Sequence, residues 1–399
     1  MGEFNSKVGT HIIRSISQTL NFSPGEISKL PFVKIEGLST LINSLVSYSK
    51  SDWDNYEQSW DFTSFQLLES NFRQNSLELT YITLRAHWQE SVLEMQRLEE
   101  ENNRIFIDAY ALQDELTSDV PLREITLTCN PNYRYANNKN DQELETLLRA
   151  DTMREFISYA VGCMFGRYSL DMPGLVLANQ GETLIDYLAQ VSKPIFTPDS
   201  DNVIPILDGD WFTDDISERF RIFLRVTFGE NHYEENLHFI EEALGKNGKP
   251  LAIRDYFLKE FYSDHIKRYK KRPIYWLFSS PKGSFNALIY MHRYRPDTVS
   301  VILNDYLREF RTKLSARKDH LEQLSINQNA SSADKTKSLK ELETLKKMLI
   351  ELDEYERDVL YPLATQQIEI DLDDGVKVNY LKFGSALKKI PGLDAKDEE

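Results

Sequence analysis

The chain has little cysteine and no long apolar run. Of its 399 residues only Cys129 and Cys163 are cysteines, too few for a disulfide framework or a zinc site built from cysteines. No segment approaches the roughly 20 apolar residues that span a bilayer, and residues 1–10 lack the basic and apolar regions of a signal peptide. Together with a mean hydropathy of −0.47, these absences predict a cytoplasmic protein in a reducing compartment, with no membrane contact.

Recognisable catalytic motifs are also missing. The sequence contains no Gly-x-Gly turn, which would let the backbone approach a nucleotide cofactor, and no His-Glu-x-x-His, Gly-x-Ser-x-Gly or Walker pattern. Its seven histidines show no spacing typical of a metal site, and His292 is more typical of a packed or solvated side chain than of a phosphate contact. We therefore expect no catalytic residues, metal or cofactor in this chain, and no independent enzymatic activity.

Two short patterns approximate known sites. Asn130-Pro131-Asn132-Tyr133 approximates the Asn-Pro-Pro-Tyr of amino-methyltransferases, where the aromatic ring stacks on a flipped base. Without a cofactor turn before it, a proline-containing turn that leaves a strand is favoured. Residues 371–375 begin like a calcium loop, but Lys382 stands at loop position 12, which requires an acidic residue. A hairpin turn is favoured there.

Positive charge is concentrated in one part of an acidic chain. Residues 254–318 hold fifteen Lys/Arg and six Asp/Glu, a net of +9, whereas the whole chain carries −16. Within this window, residues 267–296 also contain many aromatic side chains. Lys and Arg side chains bind phosphates, and aromatic rings stack on exposed bases. A basic segment rich in aromatic residues therefore favours a polyanion-binding surface. The alternative is an ordinary solvated helix face that runs into a core strand.

The candidate phosphate contacts come from a helix end, a Gly/Ser loop and the segment after a strand. They are Lys267, Arg268, Lys270, Lys271, Arg272, Lys282, Arg293 and Arg295, with Tyr269 and Tyr275 as weaker candidates. If the two short apolar runs on either side of the loop pair as a hairpin, the basic residues before and after it emerge at one end.

Apolar periodicity predicts a mainly α fold with short strands (α+β). Helices are expected at 35–48, 76–116, 141–168, 214–228, 234–244 and 254–270, and strands at 274–278 and 285–290. Residues 125–133 are expected to form a strand and a turn, and 175–181 and 202–212 strands or buried loops. Two long helices at 298–324 and 338–361 are expected to form an antiparallel hairpin, and 368–380 a β-hairpin.

The same reading divides the chain into four segments. Residues 1–35 are predicted to be the tail of an upstream recognition region, and 36–120 a helical region with one long helix. A mixed α/β middle domain is expected at 121–260. The last segment, 261–399, would contain the basic hairpin and the helical hairpin.

Several phrases of the sequence are similar to one family. TLNFSPGEISKLPF resembles the segment that follows target recognition in single-chain adenine-specific DNA methyltransferases, and SDWDNYEQSWDF resembles the helical region after it. ITLTCNPNYRY, EFISYAVGCMFGRYSLDMPGLVLA and KRPIYWLFSSPKGSFNALIYMHRY are similar to the C-terminal part of the PglX family, the methyltransferases of BREX phage-defence systems. The resemblance runs from about residue 20 to residue 392.

The resemblance implies a parent that methylates adenine N6 in a short DNA site, using S-adenosylmethionine bound upstream of this region. It implies that this chain is the non-catalytic, DNA-engaging portion, which positions duplex DNA beside an upstream methyltransferase domain. The alternative is a protein-interaction module that docks other defence-system subunits, a role that an acidic chain also suits. Other BREX subunits and phage inhibitors that mimic DNA are further expected partners.

Overall fold

The computed structural model describes residues 2–16, 23–29, 31, 33–135, 138–326 and 331–393. The chain divides into two compact units, Met1–Thr152 and Met153–Glu399, and each is described separately. The predicted division into four segments stays a prediction. Among the described residues, no helix is both long and apolar enough to cross a membrane.

The first unit is helical and is built around one long helix. Its helices are α1 Lys7–Ile16, α2 Pro24–Ile27, α3 Ser39–Asp54, α4 Leu77–Ala109, α5 Pro131–Arg134 and the start of α6, Asp141–Met164. Ser76 begins α4 as its N-cap, because its side chain accepts a hydrogen bond from the Leu79 amide. The apolar residues that predicted this helix, among them Leu84, Trp88 and Val92, form its buried face.

Residues 125–133 do not form the predicted strand. Asn130 is fully buried and caps α5, with its side-chain oxygen accepting from the Asn132 amide at 3.1 Å. Its amide group donates to the carbonyls of Leu122 and Ile125 at 2.7 and 2.8 Å. Because a side chain satisfies these carbonyls, the segment needs no neighbouring strand. The Asn-Pro-x-Tyr pattern is a helix start.

The second unit surrounds a small sheet with helices. It contains the end of α6 and then α7 Leu184–Gln190, β1 Ile204–Pro205, α8 Ile216–Phe228, α9 Tyr233–Leu244, α10 Ile253–Tyr256, α11 Tyr262–Arg268, β2 Tyr275–Ser279, β3 Asn286–Tyr290, α12 Thr298–Val301, α13 Arg308–Ile326, α14 Ser332–Tyr355, α15 Tyr361–Gln366 and α16 Gly375–Leu381. Single π-helical segments, Phe257–Phe261, Ile302–Leu307 and Glu356–Leu360, join consecutive helices.

The predicted pairing of the two short strands as a hairpin is confirmed. Strands β2 and β3 pair antiparallel with Tyr275 opposite Tyr290, and β1 adds to the other side of β3 in the order β1-β3-β2. All five residues of β2 are buried. Tyr275 stacks on Phe165 at 5.3 Å, and the next residue, Trp276, packs against Phe383 at 5.6 Å. A strand buried on both faces explains the continuous apolar run.

The helical hairpin is confirmed and a second predicted β-hairpin is wrong. Helices α13 and α14 are joined by ion pairs such as Arg317–Glu341 at 2.8 Å. Residues 371–381 form a 3₁₀ turn and α16. There the buried Asn379 side chain accepts from the Asp371 amide and donates to the Gly375 carbonyl. The mainly α fold class with short strands is correct.

Candidate nucleic-acid interface

A helical run from α10 to α11 presents the first lysines. It contains one π turn, Phe257–Phe261, which inserts an extra residue into the helix. Residues eight apart on a regular α-helix lie roughly 80° from each other around the axis, and the inserted residue reduces that angle. Lys259 and Lys267 accordingly line the same groove.

The turn after α11 carries two more lysines in an unusual backbone conformation. Lys270 and Lys271 have φ values of +50° and +65°, in the left-handed region that favours glycine. The Lys271 amide donates to the Ile266 carbonyl at 2.8 Å, which closes the helix end. Both side chains are exposed. A single helix end therefore projects a compact set of ammonium groups.

The loop between β2 and β3 adds Lys282 to the same place. A carboxylate on α14 fixes this loop: Glu351, only 5% exposed, accepts from the Lys282 amide at 2.7 Å and from Ser284 Oγ at 2.5 Å. Although burial raises the pKa of Glu351, hydrogen bonds from Ser280, from Ser284 and from the Lys282 amide hold it below its usual range. The lysine side chain itself stays exposed.

A segment near the C-terminal end supplies lysines that the charge window missed. The Lys388 amide donates to the Leu277 carbonyl at 2.8 Å, and Leu387 bridges to Phe278, so this segment extends the edge of β2. Lys388 and Lys389 thereby reach the groove from more than a hundred residues along the chain. In the sequence, the only feature that could have pointed to these two residues is that the lysines at 388 and 389 are consecutive.

We call the resulting feature the lysine groove. It has a volume of about 830 Å³ and is lined by Lys267, Lys270, Lys271 and Lys282 from the predicted set, and by Lys259, Lys388 and Lys389. No aspartate or glutamate is among the described residues that line it. Lys259 pairs with Asp255 at 2.6 Å, and Lys267 lies 3.9 Å from Asp264.

The other five lysines of the groove share one property. Within the described parts of the chain, no carboxylate lies within 4 Å of their ammonium groups. They are Lys270, Lys271, Lys282, Lys388 and Lys389. Neighbouring carboxylates therefore leave most of the positive charge of the groove uncompensated.

The four predicted arginines lie outside the lining of the groove. Arg268 is half-buried and Arg272 exposed, both near the same helix end. Arg295 is exposed and pairs with Asp297 at 2.9 Å. Arg293 is only 3% exposed, and its guanidinium donates to the carbonyls of Phe165, Asp199 and Ser200. The structure therefore does not bring Arg293 to the surface with the lysines.

The weaker aromatic candidates and His292 are packed in the interior or against other side chains. Tyr275 is fully buried and stacks on His265 at 4.8 Å. Tyr269 is half-buried, also 4.8 Å from His265, with the Arg167 guanidinium 5.8 Å from its ring. Burial lowers the pKa of His292 to about 4. The side chain is therefore neutral at pH 7, which agrees with a packed histidine and not with a phosphate contact.

Comparisons with known proteins identify relatives along nearly the whole chain. A scan against models of protein families found no match. The chain is 37% identical over 401 residues to the adenine-specific methyltransferase BrxX of Escherichia coli O9:H4 (strain HS). The aligned region covers 98% of this chain and 32% of that protein. It is 36% identical over 401 residues to the adenine-specific methyltransferase PglX of Lacticaseibacillus casei (strain Zhang), with coverages of 98% and 31%.

These matches confirm the resemblance on which the sequence analysis relied. The chain spans about a third of the length of both relatives. The chain therefore corresponds, over nearly its whole length, to the C-terminal part of adenine-specific methyltransferases of the BrxX and PglX type.

Proposed function

We propose that this chain is the non-catalytic, DNA-engaging portion of a PglX-like adenine-N6 DNA methyltransferase of a BREX phage-defence system. The lysine groove holds the phosphate backbone and so positions the DNA for a catalytic domain elsewhere in the parent protein. One observation carries the proposal: lysines from three separate chain segments line one groove, and no carboxylate of the described chain lines it with them.

The groove positions DNA without selecting its sequence. Lysine ammonium groups contact phosphates, which are the same at every base pair, so such contacts set register and affinity. Arg272 is exposed near the same helix end and extends the positive surface. Arg268 is half-buried and Arg295 pairs with Asp297, so both contribute less. Arg293 is left out because it is buried and bonded to three carbonyls. S-adenosylmethionine and the catalytic residues belong to the upstream domain of the parent.

A pair of charge reversals tests the proposal. Lys270→Glu/Lys271→Glu removes two phosphate contacts from the groove. Each lost contact lowers the slope of log K against log salt by about 0.9 for duplex DNA, so the slope falls by about 1.8 and affinity at 0.1 M salt drops at least about 60-fold. Fluorescence anisotropy with several unrelated duplexes measures both quantities, and every duplex is expected to lose affinity equally.

A matched control uses lysines on the helical hairpin. Lys337 and Lys340 are exposed on α14, and within the described chain neither has a carboxylate within 4 Å. Lys337→Glu/Lys340→Glu changes the net charge by the same amount and lies outside the groove. If both double variants weaken binding equally, or neither does, the groove is not the DNA site.

A second candidate function rests on two exposed aliphatic side chains of α14. Leu339 and Ile350 are 54% and 62% exposed, and residues eleven apart lie on one face of a helix. Two exposed aliphatic side chains in line suit docking of another defence-system subunit. The variant Leu339→Asn/Ile350→Asn would then lose co-purification with co-expressed BREX subunits and keep DNA binding, whereas unchanged co-purification would reject this role.

A further inference from the structure

The lysine groove has an apolar floor beneath its ammonium groups. Leu258 and Ile266 are half-buried in the lining, and Pro391 is exposed there. The buried side chains of Tyr262 and Leu277 also line the groove. Phosphates gain nothing from such a surface, because apolar groups stabilise a complex only by covering the apolar or aromatic faces of a ligand. The floor therefore indicates a ligand that carries flat or apolar groups as well as negative charge.

The size of the groove limits the form of that ligand. Its volume is about 830 Å³, within the range of about 300–1,000 Å³ that is typical of ligand pockets. A B-DNA duplex is wider than its own major groove, which is roughly 12 Å across and 8.5 Å deep. A duplex can therefore contact the lysine groove along its rim, whereas only a single strand can lie inside it.

The placement of the lysines also suits a single strand. One set lies on the helical run 253–268 and the turn after it, Lys282 on the β2–β3 loop, and Lys388 and Lys389 on the segment beside β2. A strand inside the groove therefore meets ammonium groups from more than one chain segment. Proteins that bind single strands combine a positive groove for the backbone with aromatic side chains on which the bases stack. In the lysine groove the accessible apolar surface is aliphatic.

Building on the proposed function, we infer that the lysine groove takes one strand of DNA, with its phosphates on the lysines and its bases on the apolar floor. The strand is held by charge and by base contact together. In the duplex held by the parent protein, this is a strand whose bases are locally unstacked. The groove is thus a site for unpaired nucleotides in addition to a contact for the backbone.

The test compares ligands that differ only in their bases. The full 399-residue chain is titrated by fluorescence anisotropy with a labelled 12-nucleotide strand, the matching duplex, and an abasic 12-mer with the same phosphates. We expect the normal strand to bind at least tenfold more tightly than the abasic strand, with the same salt slope, and at least as tightly as the duplex. Equal affinity for normal and abasic strands, or a duplex bound more than tenfold more tightly than the strand, overturns the inference.

Variants of the floor and of the lysines separate the two contributions. Leu258→Gln is expected to lower the affinity for the normal strand about tenfold and to leave the affinity for the abasic strand unchanged. Lys388→Gln/Lys389→Gln is expected to lower the affinity for both strands by the same factor. Ile350→Gln, an exposed aliphatic position on α14, is the matched control. If thermal unfolding shows that Leu258→Gln is destabilised, Ile266→Gln serves in its place. A floor variant that weakens both strands equally contradicts base contact.

The outcomes distinguish this inference from the proposed function. If normal strand, abasic strand and duplex bind equally and the lysine variants weaken all three, the groove is a phosphate site only and the proposed function stands. If no DNA binds at 50 mM salt, both are wrong.

Discussion

Replacing Lys270 separates the charge of the lysine groove from the strain of the turn that carries it. Lys270 is exposed at φ +50°. This left-handed conformation costs an L-residue roughly 1–2 kcal/mol, whereas glycine adopts it freely but loses roughly 0.5–1 kcal/mol more backbone entropy on folding. We therefore expect Lys270→Gly to be more stable than Lys270→Ala by about 0.5–1 kcal/mol.

Both substitutions should weaken DNA binding by the same amount. Each removes one ammonium group from a groove in which five lysines have no carboxylate within 4 Å among the described residues. One lost phosphate contact lowers the salt slope by about 0.9 and weakens duplex binding about eightfold at 0.1 M salt. Lys270→Arg keeps the charge and the strained conformation, so its stability and slope should match those of the wild type.

The assay measures two quantities on the same proteins. Urea denaturation followed by circular dichroism gives the difference in unfolding free energy between the glycine and alanine variants. Anisotropy between 50 and 200 mM salt gives the slope. If the alanine variant is at least as stable as the glycine variant, the strain argument is wrong. If both variants bind DNA like the wild type, Lys270 is not part of the interface.

Two further predictions concern one buried and one half-buried carboxylate. Glu351→Gln should destabilise the fold by about 1–3 kcal/mol, since it breaks charged hydrogen bonds to the Lys282 loop; exposed Glu354→Gln on the same helix is the control, and equal urea midpoints would contradict this role. Burial and the neighbouring Glu124 carboxylate raise the pKa of Glu99 to about 7, so the folded state loses stability as pH rises from the unfolded pKa to 7. Because Glu99 is only half-buried, solvent screening reduces the free energy that this pKa difference represents. Glu99→Gln should therefore add about 2 kcal/mol at pH 8 and little at pH 4, and a gain of the same size at both pH values would reject the shift.

Local sequence patterns were sufficient for the elements whose signals lie within a few residues. The apolar repeat after Ser76 predicted α4, and two short aromatic runs around a Gly/Ser loop predicted the β2–β3 hairpin. Helix periodicity and turn residues act over one or two turns, so a single sequence reveals them. The concentration of lysines at 267–282 was visible for the same reason.

Where local patterns failed, hydrogen bonds made by a buried asparagine side chain within the segment itself determined the backbone. Alternating apolar residues at 368–380 resemble a β-hairpin, but hydrogen bonds from the buried Asn379 side chain hold this segment as a turn and a helix. Likewise, Asn130 satisfies carbonyls that a strand would have offered to a neighbour. An alternating apolar pattern does not by itself show whether the backbone groups of a segment bond to a neighbouring strand or to a nearby side chain.

The sequence by itself determined that this chain is mainly helical and that its positive charge is concentrated around residues 267–282. Only the tertiary structure decided which cations share a site. Backbone pairing with β2 brings Lys388 and Lys389 into the groove, and burial removes Arg293 from the surface. Whether side chains a hundred residues apart in the sequence lie close together depends on how the elements pack. The Coulomb interaction between them depends on their distance in space and not on their separation along the chain.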